Sequence, residues 1–428
     1  MQENVFLNRN YRLVFFGTLV SDLGAVLYSF AVSFYILHIS DNNAFLQGLY
    51  LALCGVVLLL VTPVGGVLGD RYNKAKIMVI CDYLKGGLIL AAMAAMLLFP
   101  SQQAHIVVLF VAGFAGNVIG GIFSPAGAAL LPQIVQPEQL QQANAYFSVK
   151  SSLQSIFGVV LSGVLYAAMP IHALFLLVGV CYLLSGVSEM FIRCDHTPPA
   201  ERLTMRVALR DMGEGFSYIK SQRALMALMG AILFINFFFS PITGNFLPFF
   251  LKTDVALSDG YLFDRFLTPE LWSSVFSVLI GLSSLVGSVI LSARPQKEKC
   301  GVATGVYLCA MAAVVIAVSV GYWLLVDRGG GLNAFLLLLS AGTLAIGFLI
   351  ATINIPSTTV MMRMVDSDKL SKVSSIINVL SQGLIPIASV LAGLVLQYLG
   401  STPLLFGCSL GFTATAAMLL FNRHVREI

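Results

Sequence analysis

Along this chain the apolar residues neither alternate with polar ones at the period of a strand nor mark a single helical stripe. They run on, all round, for twenty or more residues at a time. Leu49–Val61 and Phe335–Ile353 show the pattern at its plainest. A helix that is apolar on every side belongs in hydrocarbon or in a large buried core, and about 20 such residues cross a bilayer. Twelve stretches qualify, at 12–37, 45–69, 77–99, 104–131, 143–168, 172–193, 223–250, 270–292, 301–326, 332–361, 371–398 and 402–421. A transmembrane barrel would instead show alternating segments of about ten residues, so the pattern predicts an all-α integral membrane protein of twelve helices.

The polar positions between these stretches are as ordered as the stretches themselves. One set of loops holds Arg9 and Arg12, then Arg71, Lys74 and Lys76, then Arg193 to Arg223, then Arg294, Lys297 and Lys299, then Arg363, Lys369 and Lys372, and last Arg423 and Arg426. The alternate loops hold only Lys252, Arg265 and Arg328, while Lys85 and Lys150 fall inside predicted helices. Lys and Arg are retained on the cytoplasmic side, which places both termini there and requires an even number of spans. In a bacterial cell this is the inner, plasma membrane. The first span follows a basic segment but no small-residue cleavage site, and it is read as a span and not as a signal peptide.

Composition agrees: 58% of residues are hydrophobic, 10% are charged, and the mean hydropathy is +0.90, far outside the range of soluble domains. The net charge of +4 follows from the loop bias, so it gives no support to nucleic-acid binding. There is no G-x-x-x-x-G-K-[ST] loop for a nucleotide, no H-E-x-x-H or G-x-S-x-G, and no grouped Cys/His set. No cofactor, metal or catalytic residue is therefore expected, and an embedded enzyme or a receptor has no candidate site. The seven cysteines lie mostly in helices, as small packing residues do.

The stretch from Asp195 to about Arg223 is polar and contains Pro198-Pro199. It predicts a division into bundles at 1–194 and 223–428, joined by a cytoplasmic loop at 195–222. The bundles repeat each other. Arg71, Lys74 and Lys76 recur 223 positions on as Arg294, Lys297 and Lys299, and Pro125 has its counterpart in Pro356. Parallel duplication of six helices is a plan of secondary transporters, with the substrate site near mid-membrane.

The residues now resemble the major facilitator superfamily. Its signature after the second helix, G-x-x-x-D-R-x-G-R-K, is matched by Gly66, Asp70, Arg71, Lys74 and Lys76, with Asn73 where the usual glycine stands; Asn also tolerates a left-handed backbone. Phe123-Ser-Pro125 through Pro132-Gln-Ile-Val, followed by Ala143-Asn-Ala, is similar to the macrolide-efflux branch of the drug:proton antiporters. Asn354-Ile-Pro356 and Ser381-Gln382-Gly-Leu-Ile-Pro386 resemble its second-half counterpart. The resemblance implies two pseudo-symmetric six-helix bundles and export of an amphipathic or cationic organic compound by alternating access, coupled to protons. The partners would then be the bilayer, protons and the substrate, with a monomer as the working unit. A transporter of a physiological amphiphile, such as a lysolipid or a siderophore, is the alternative. The Gly-Pro motif that proton-driven antiporters usually carry in the fifth helix is absent here, where only Gly158 and Gly163 stand.

Two ionisable residues carry the candidate chemistry. Asp22 lies about ten residues into the first span, near the midplane at ~1.5 Å per residue, where a carboxylate needs a partner, a cavity or a proton. Lys150 lies in the first turns of the fifth span, which the resemblance places beside the first. Either the two pair, as a proton-linked switch or a charge site for substrate, or Lys150 snorkels to the interface. By resemblance Asn117, Asn236, Asn245 and Asn354 are the inward amides, with Tyr28, Phe30 and Phe238 on the apolar wall. Asp70, Arg71, Lys74, Lys76 and Asp82 form a cytoplasmic gate network, and Pro125, Pro132, Pro356, Gln382 and Pro386 bend or pack helices. Asp82 with Lys85 reads as a local pair, and Glu189 as the partner of Arg193. If access alternates, a cross-link fixing the cytoplasmic ends of the second and eleventh spans abolishes turnover; transport that persists through it contradicts the expectation.

Overall fold

A computed structural model describes residues 5–136, 139–194, 210, 216–217, 220, 222–258, 260–292, 300–364 and 382–421. These residues are helical with short connections, and contain no strand. The elements are α1 (Arg9–Ile39), α2 (Ala44–Arg71), α3 (Lys74–Leu98), α4 (Gln102–Ile134), α5 (Leu140–Leu153), α6 (Val159–Ala168), α7 (Ile171–Met190), α8 (Arg223–Ser240), α9 (Leu247–Phe250), α10 (Pro269–Ser292), α11 (Cys300–Tyr322), α12 (Leu332–Met364), α13 (Ile385–Leu399) and α14 (Ser401–Phe421). Ten helices among the described residues are long and apolar enough to cross a membrane, and two shorter apolar helices, α6 and α13, belong to the fifth and eleventh expected spans. The fold is the expected all-α membrane architecture.

Two spans expected as single helices are interrupted part-way, and the ninth ends in a π turn at Trp323–Asp327. The fifth runs α5, a π-helical turn at Gln154–Gly158, then α6; such turns insert one residue and re-aim the rest of the helix. The seventh runs α8, a π turn at Pro241–Phe246, α9, and a second π turn at Leu251–Val255. Pro241 and Pro248 have no N–H to give the helical ladder, and the Leu247 N–H reaches the Ile242 carbonyl five residues back.

The helix starts are written in side chains. Asn8 accepts from the Asn10 and Tyr11 N–H groups, Ser101 from Ala104, and Asn73 from Lys76, each satisfying a donor that the first turn leaves over. Asn73 therefore corrects the sequence reading. Its backbone is extended, with φ −62° and ψ 116°, so it replaces glycine as a cap and not as a left-handed turn residue.

The chain forms two compact units, residues 1–40 with 53–209, and residues 41–52 with 210–428. In the first, α3 packs on α4 and α7, and α1 on α7 and α6. One end of this unit is buried around Val5, Tyr11, Met78, Leu130 and Ile134. Polar groups fasten it there. Asn10 donates to the Arg193 carbonyl at 2.7 Å and accepts from the Arg193 N–H, while the Tyr11 hydroxyl reaches the Ala143 carbonyl.

In the second unit α11 packs on α12 and α14, and α10 on α12, around a core that includes Leu308, Met311, Ile346 and Phe412. The segment 41–52 belongs to this unit, although the helix that carries it, α2, runs on into the first. It packs backbone against backbone. The Ala44 N–H donates to Gln397 Oε1, and the buried Gln47 amide donates to the Gly244 carbonyl. Gly48 and Gly393 make this approach, since a Cβ on Gly48 would collide with the Ser389 carbonyl and one on Gly393 would lie 2.7 Å from the Ala44 carbonyl. Close backbone approach through small residues is how helices gain contact in lipid. Replacing Gly393 with Leu is expected to cost about 1–3 kcal/mol, the usual penalty of overpacking, read as a lowered thermal midpoint in detergent; an unchanged midpoint contradicts the packing.

Candidate functional site

The site is built on α1. Thr18 and Asp22 stand four residues apart and so share one helical face, and Asp22 is thirteen residues beyond the start at Arg9, about 20 Å along the helix. The α5 helix brings Lys150 against that face. Its ammonium donates to Asp22 Oδ2 at 2.8 Å and to Thr18 Oγ1 at 2.8 Å. The Phe147 ring, one turn earlier on α5, lies 4.8 Å from the ammonium, a distance at which a ring face attracts a cation. Thr18 can serve because its own proton is used elsewhere, on the Val14 carbonyl at 2.7 Å; the lone pairs are left to the ammonium.

The two partners are not equally buried. The Lys150 side chain is 5% exposed and that of Asp22 37%. The ammonium is thus held out of water by a carboxylate that keeps one side open. An incoming proton or cation reaches Asp22 first, and whatever neutralises Asp22 removes the Lys150 counter-charge. Loss of one partner of a buried pair typically costs about 3–5 kcal/mol, so the arrangement responds sharply to the charge on Asp22.

The other expected residues fall in three groups. Of the gate motif, Lys74 is buried and Lys76 exposed on the first turn of α3. Asp70 and Arg71 close α2, with side chains outside the described set, and Gly66 has open space beside it. Asp82 lies away from the helix end, two turns into α3 and 1% exposed. Lys85 sits three residues on, with its ammonium 5.3 Å from the Tyr182 ring and 5.9 Å from that of Phe123. Glu189 departs from the sequence reading. It is 1% exposed, whereas Arg193 is exposed with its backbone bound to Asn10; α7 ends at Met190, so the four-residue helical spacing never forms.

Among the expected amides, Asn117 and Asn236 donate to the Gly113 and Ile232 carbonyls of their own helices, and Asn354 is exposed. Asn245 is fully buried and donates to the Ser389 carbonyl, a contact within the second unit. The aromatic side chains also pack. Tyr28 meets Phe175, Phe30 stacks on Phe34 at 4.8 Å, and Phe238 lies against Phe412 and Gly411.

Of the prolines, Pro125 and Pro132 lie inside α4, which continues through both. Pro356 lies inside α12, its side chain outside the described set. Pro386 occupies the first turn of α13, where no N–H is needed, and Gln382 is exposed just before it.

Comparison with known proteins decides the family. The model of the Major Facilitator Superfamily matches residues 14–389. The chain belongs to this superfamily, a class of multi-pass membrane transporters. The uncharacterized MFS-type transporter YkuC of Bacillus subtilis (strain 168) is 25% identical over 69% of this chain and 67% of its own. Macrolide efflux protein A of Streptococcus pyogenes is 22% identical, over 58% of this chain and 62% of its own. The enterobactin exporter EntS of Citrobacter koseri is 29% identical over 37% of each chain. Among solved structures, a bacterial homologue of the iron transporter ferroportin, in an inward-facing state, superposes with a TM-score of 0.73 at 16% identity, over 96% of this chain and 98% of its own. At that identity the likeness is one of fold.

Proposed function

We propose that this superfamily member is an exporter of amphipathic or cationic organic compounds, of macrolide-like character, working by alternating access and driven by protons. The observation that carries the reading is the half-open Asp22 carboxylate bound to the buried Lys150 ammonium. Proton entry at Asp22 releases Lys150 to Thr18 alone, and deprotonation restores the bridge. A cationic substrate competes with Lys150 for the same oxygen, so proton and substrate exclude each other, as antiport requires. The similarity to macrolide efflux protein A supports outward transport of such compounds. The working form is a monomer in the bacterial inner membrane with both termini cytoplasmic, in line with the Lys and Arg bias of the loops.

The match to an enterobactin exporter favours a second reading, in which the cargo is a physiological amphiphile such as a siderophore. The test is uptake of amphipathic dyes, macrolides, lysolipids and enterobactin into proteoliposomes, with and without an imposed pH gradient, beside Asp22→Asn. Gradient-driven movement of dyes or macrolides, lost in Asp22→Asn, is expected. Movement that ignores the gradient, or that survives in the variant, refutes the coupling role of Asp22; movement of enterobactin alone replaces the first cargo with the second.

A further inference from the structure

The charges gathered in the interior around Asp22 and Glu189, apart from Lys74 at the start of α3, do not balance. Besides Asp22 and Lys150 this interior holds Asp82, Lys85 and Glu189; Asp82 and Asp22 act on both Lys85 and Glu189, and Lys150 acts on Glu189. Three carboxyl groups face two ammoniums. Lys150 is bound to Asp22, and Lys85 follows Asp82 by three residues on one face of α3, its ammonium over the Tyr182 and Phe123 rings. That leaves Glu189. It is 1% exposed, and neither of its oxygens has a hydrogen-bond partner among the described residues.

The groups around it explain the isolation. From α1 comes Gly17, where a Cβ would lie 3.3 Å from Glu189 Cγ, so the neighbouring helix offers bare backbone and, further along, Asp22. From α3 come Cys81 and Asp82, and from α5 Lys150. On α7 itself stand Ser185 and Tyr182, while the hydroxyl of Ser188 is spent on the Leu13 carbonyl. An ionised carboxylate with no donor and no counter-ion, out of water, costs several kcal/mol. The neutral acid removes that cost and brings the five groups to zero net charge.

We propose that Glu189 carries a proton in this state and is the alternate counter-ion of Lys150. In the step this implies, the carboxylic acid of Glu189 gives its proton to the Asp22 carboxylate, Asp22 becomes the acid, and the Lys150 ammonium turns from Asp22 to the new Glu189 carboxylate. One O–H bond breaks and one forms, Lys150 keeps a counter-ion throughout, and the interior stays neutral. The opened Asp22 then exchanges its proton or meets substrate on its exposed side. This rests on the reading of Asp22–Lys150 as the coupling site and adds to it an internal proton store that does not touch the open face.

Infrared difference spectroscopy on the full chain in liposomes tests it, with wild type, Glu189→Gln, Asp22→Asn and Asp22→Asn/Lys150→Met. Wild type is expected to show the stretch of a buried protonated carboxyl at neutral pH. The band should vanish in Glu189→Gln, vanish also in Asp22→Asn because Glu189 ionises to serve Lys150, and return in the double variant. Glu189→Gln, isosteric with the neutral acid, should keep the fold and lose gradient-driven transport. A band that survives in Glu189→Gln or in Asp22→Asn overturns the proposal, as does proton-coupled transport that persists in Glu189→Gln. If coupling persists in Asp22→Asn while the spectra behave as expected, it is the bridge reading that fails and the protonated Glu189 that stands.

Discussion

A lysine ammonium held 5% exposed inside an apolar bundle is the constraint on which the rest of this protein depends. Removing such a group from water costs several kcal/mol unless an anion and further acceptors replace the hydration shell. Here the replacement is assembled from two helices: Asp22 and Thr18 on α1, Lys150 and Phe147 on α5. The consequence is a coupling between chemistry and packing. Any event that changes the charge on Asp22 changes what α5 gains by lying against α1, and a proton is the smallest agent that can do so.

The rest of the first unit is arranged so that this event can be felt. The α1 and α7 helices approach closely because Gly17 and Gly24 present no side chains, with Glu189, Ser185 and Cys181 filling the space. Just beyond Lys150, α5 gives way to a π turn and then to α6. That departure from a regular ladder lies next to the charged residue and not elsewhere in the span. Helix irregularity and ionisable side chains are both costly in hydrocarbon, and their coincidence marks the segment where chemistry has displaced simple packing. The second unit has its own irregular span, after α8, where Pro241 and Pro248 interrupt the ladder.

The spans were legible from the sequence because nothing competes with continuous hydrophobicity: residues such as Phe335–Ile353 have no other stable environment. The cost of Asp22 and Lys150 was legible for the same reason, since each is a lone charge in an apolar run. Their surroundings were not. Thr18 could have been found by stepping four residues back from Asp22 on the helix, but a threonine among apolar residues carries little signal by itself. Glu189 was misread because its spacing to Arg193 is helical, while the helix ends at Met190 and turns Arg193 toward Asn10. Asn245 illustrates another limit. An amide in a membrane helix suits a cavity and a carbonyl of a neighbouring helix equally well, and only the packing of α13 shows that it bonds Ser389.

A double-mutant cycle on thermal stability tests the central claim, that the Lys150 ammonium depends on the Asp22 charge. In a Glu189→Gln background, where no alternate counter-ion is left for Lys150, Asp22→Asn should destabilise the protein by about 3–5 kcal/mol, as when one partner of a buried pair is removed. Adding Lys150→Met to Asp22→Asn should restore most of that loss, because no charge is then left without a partner. If the two substitutions instead add, or if Asp22→Asn leaves the thermal midpoint of the Glu189→Gln protein unchanged, the ammonium does not rely on Asp22 and the central claim is contradicted.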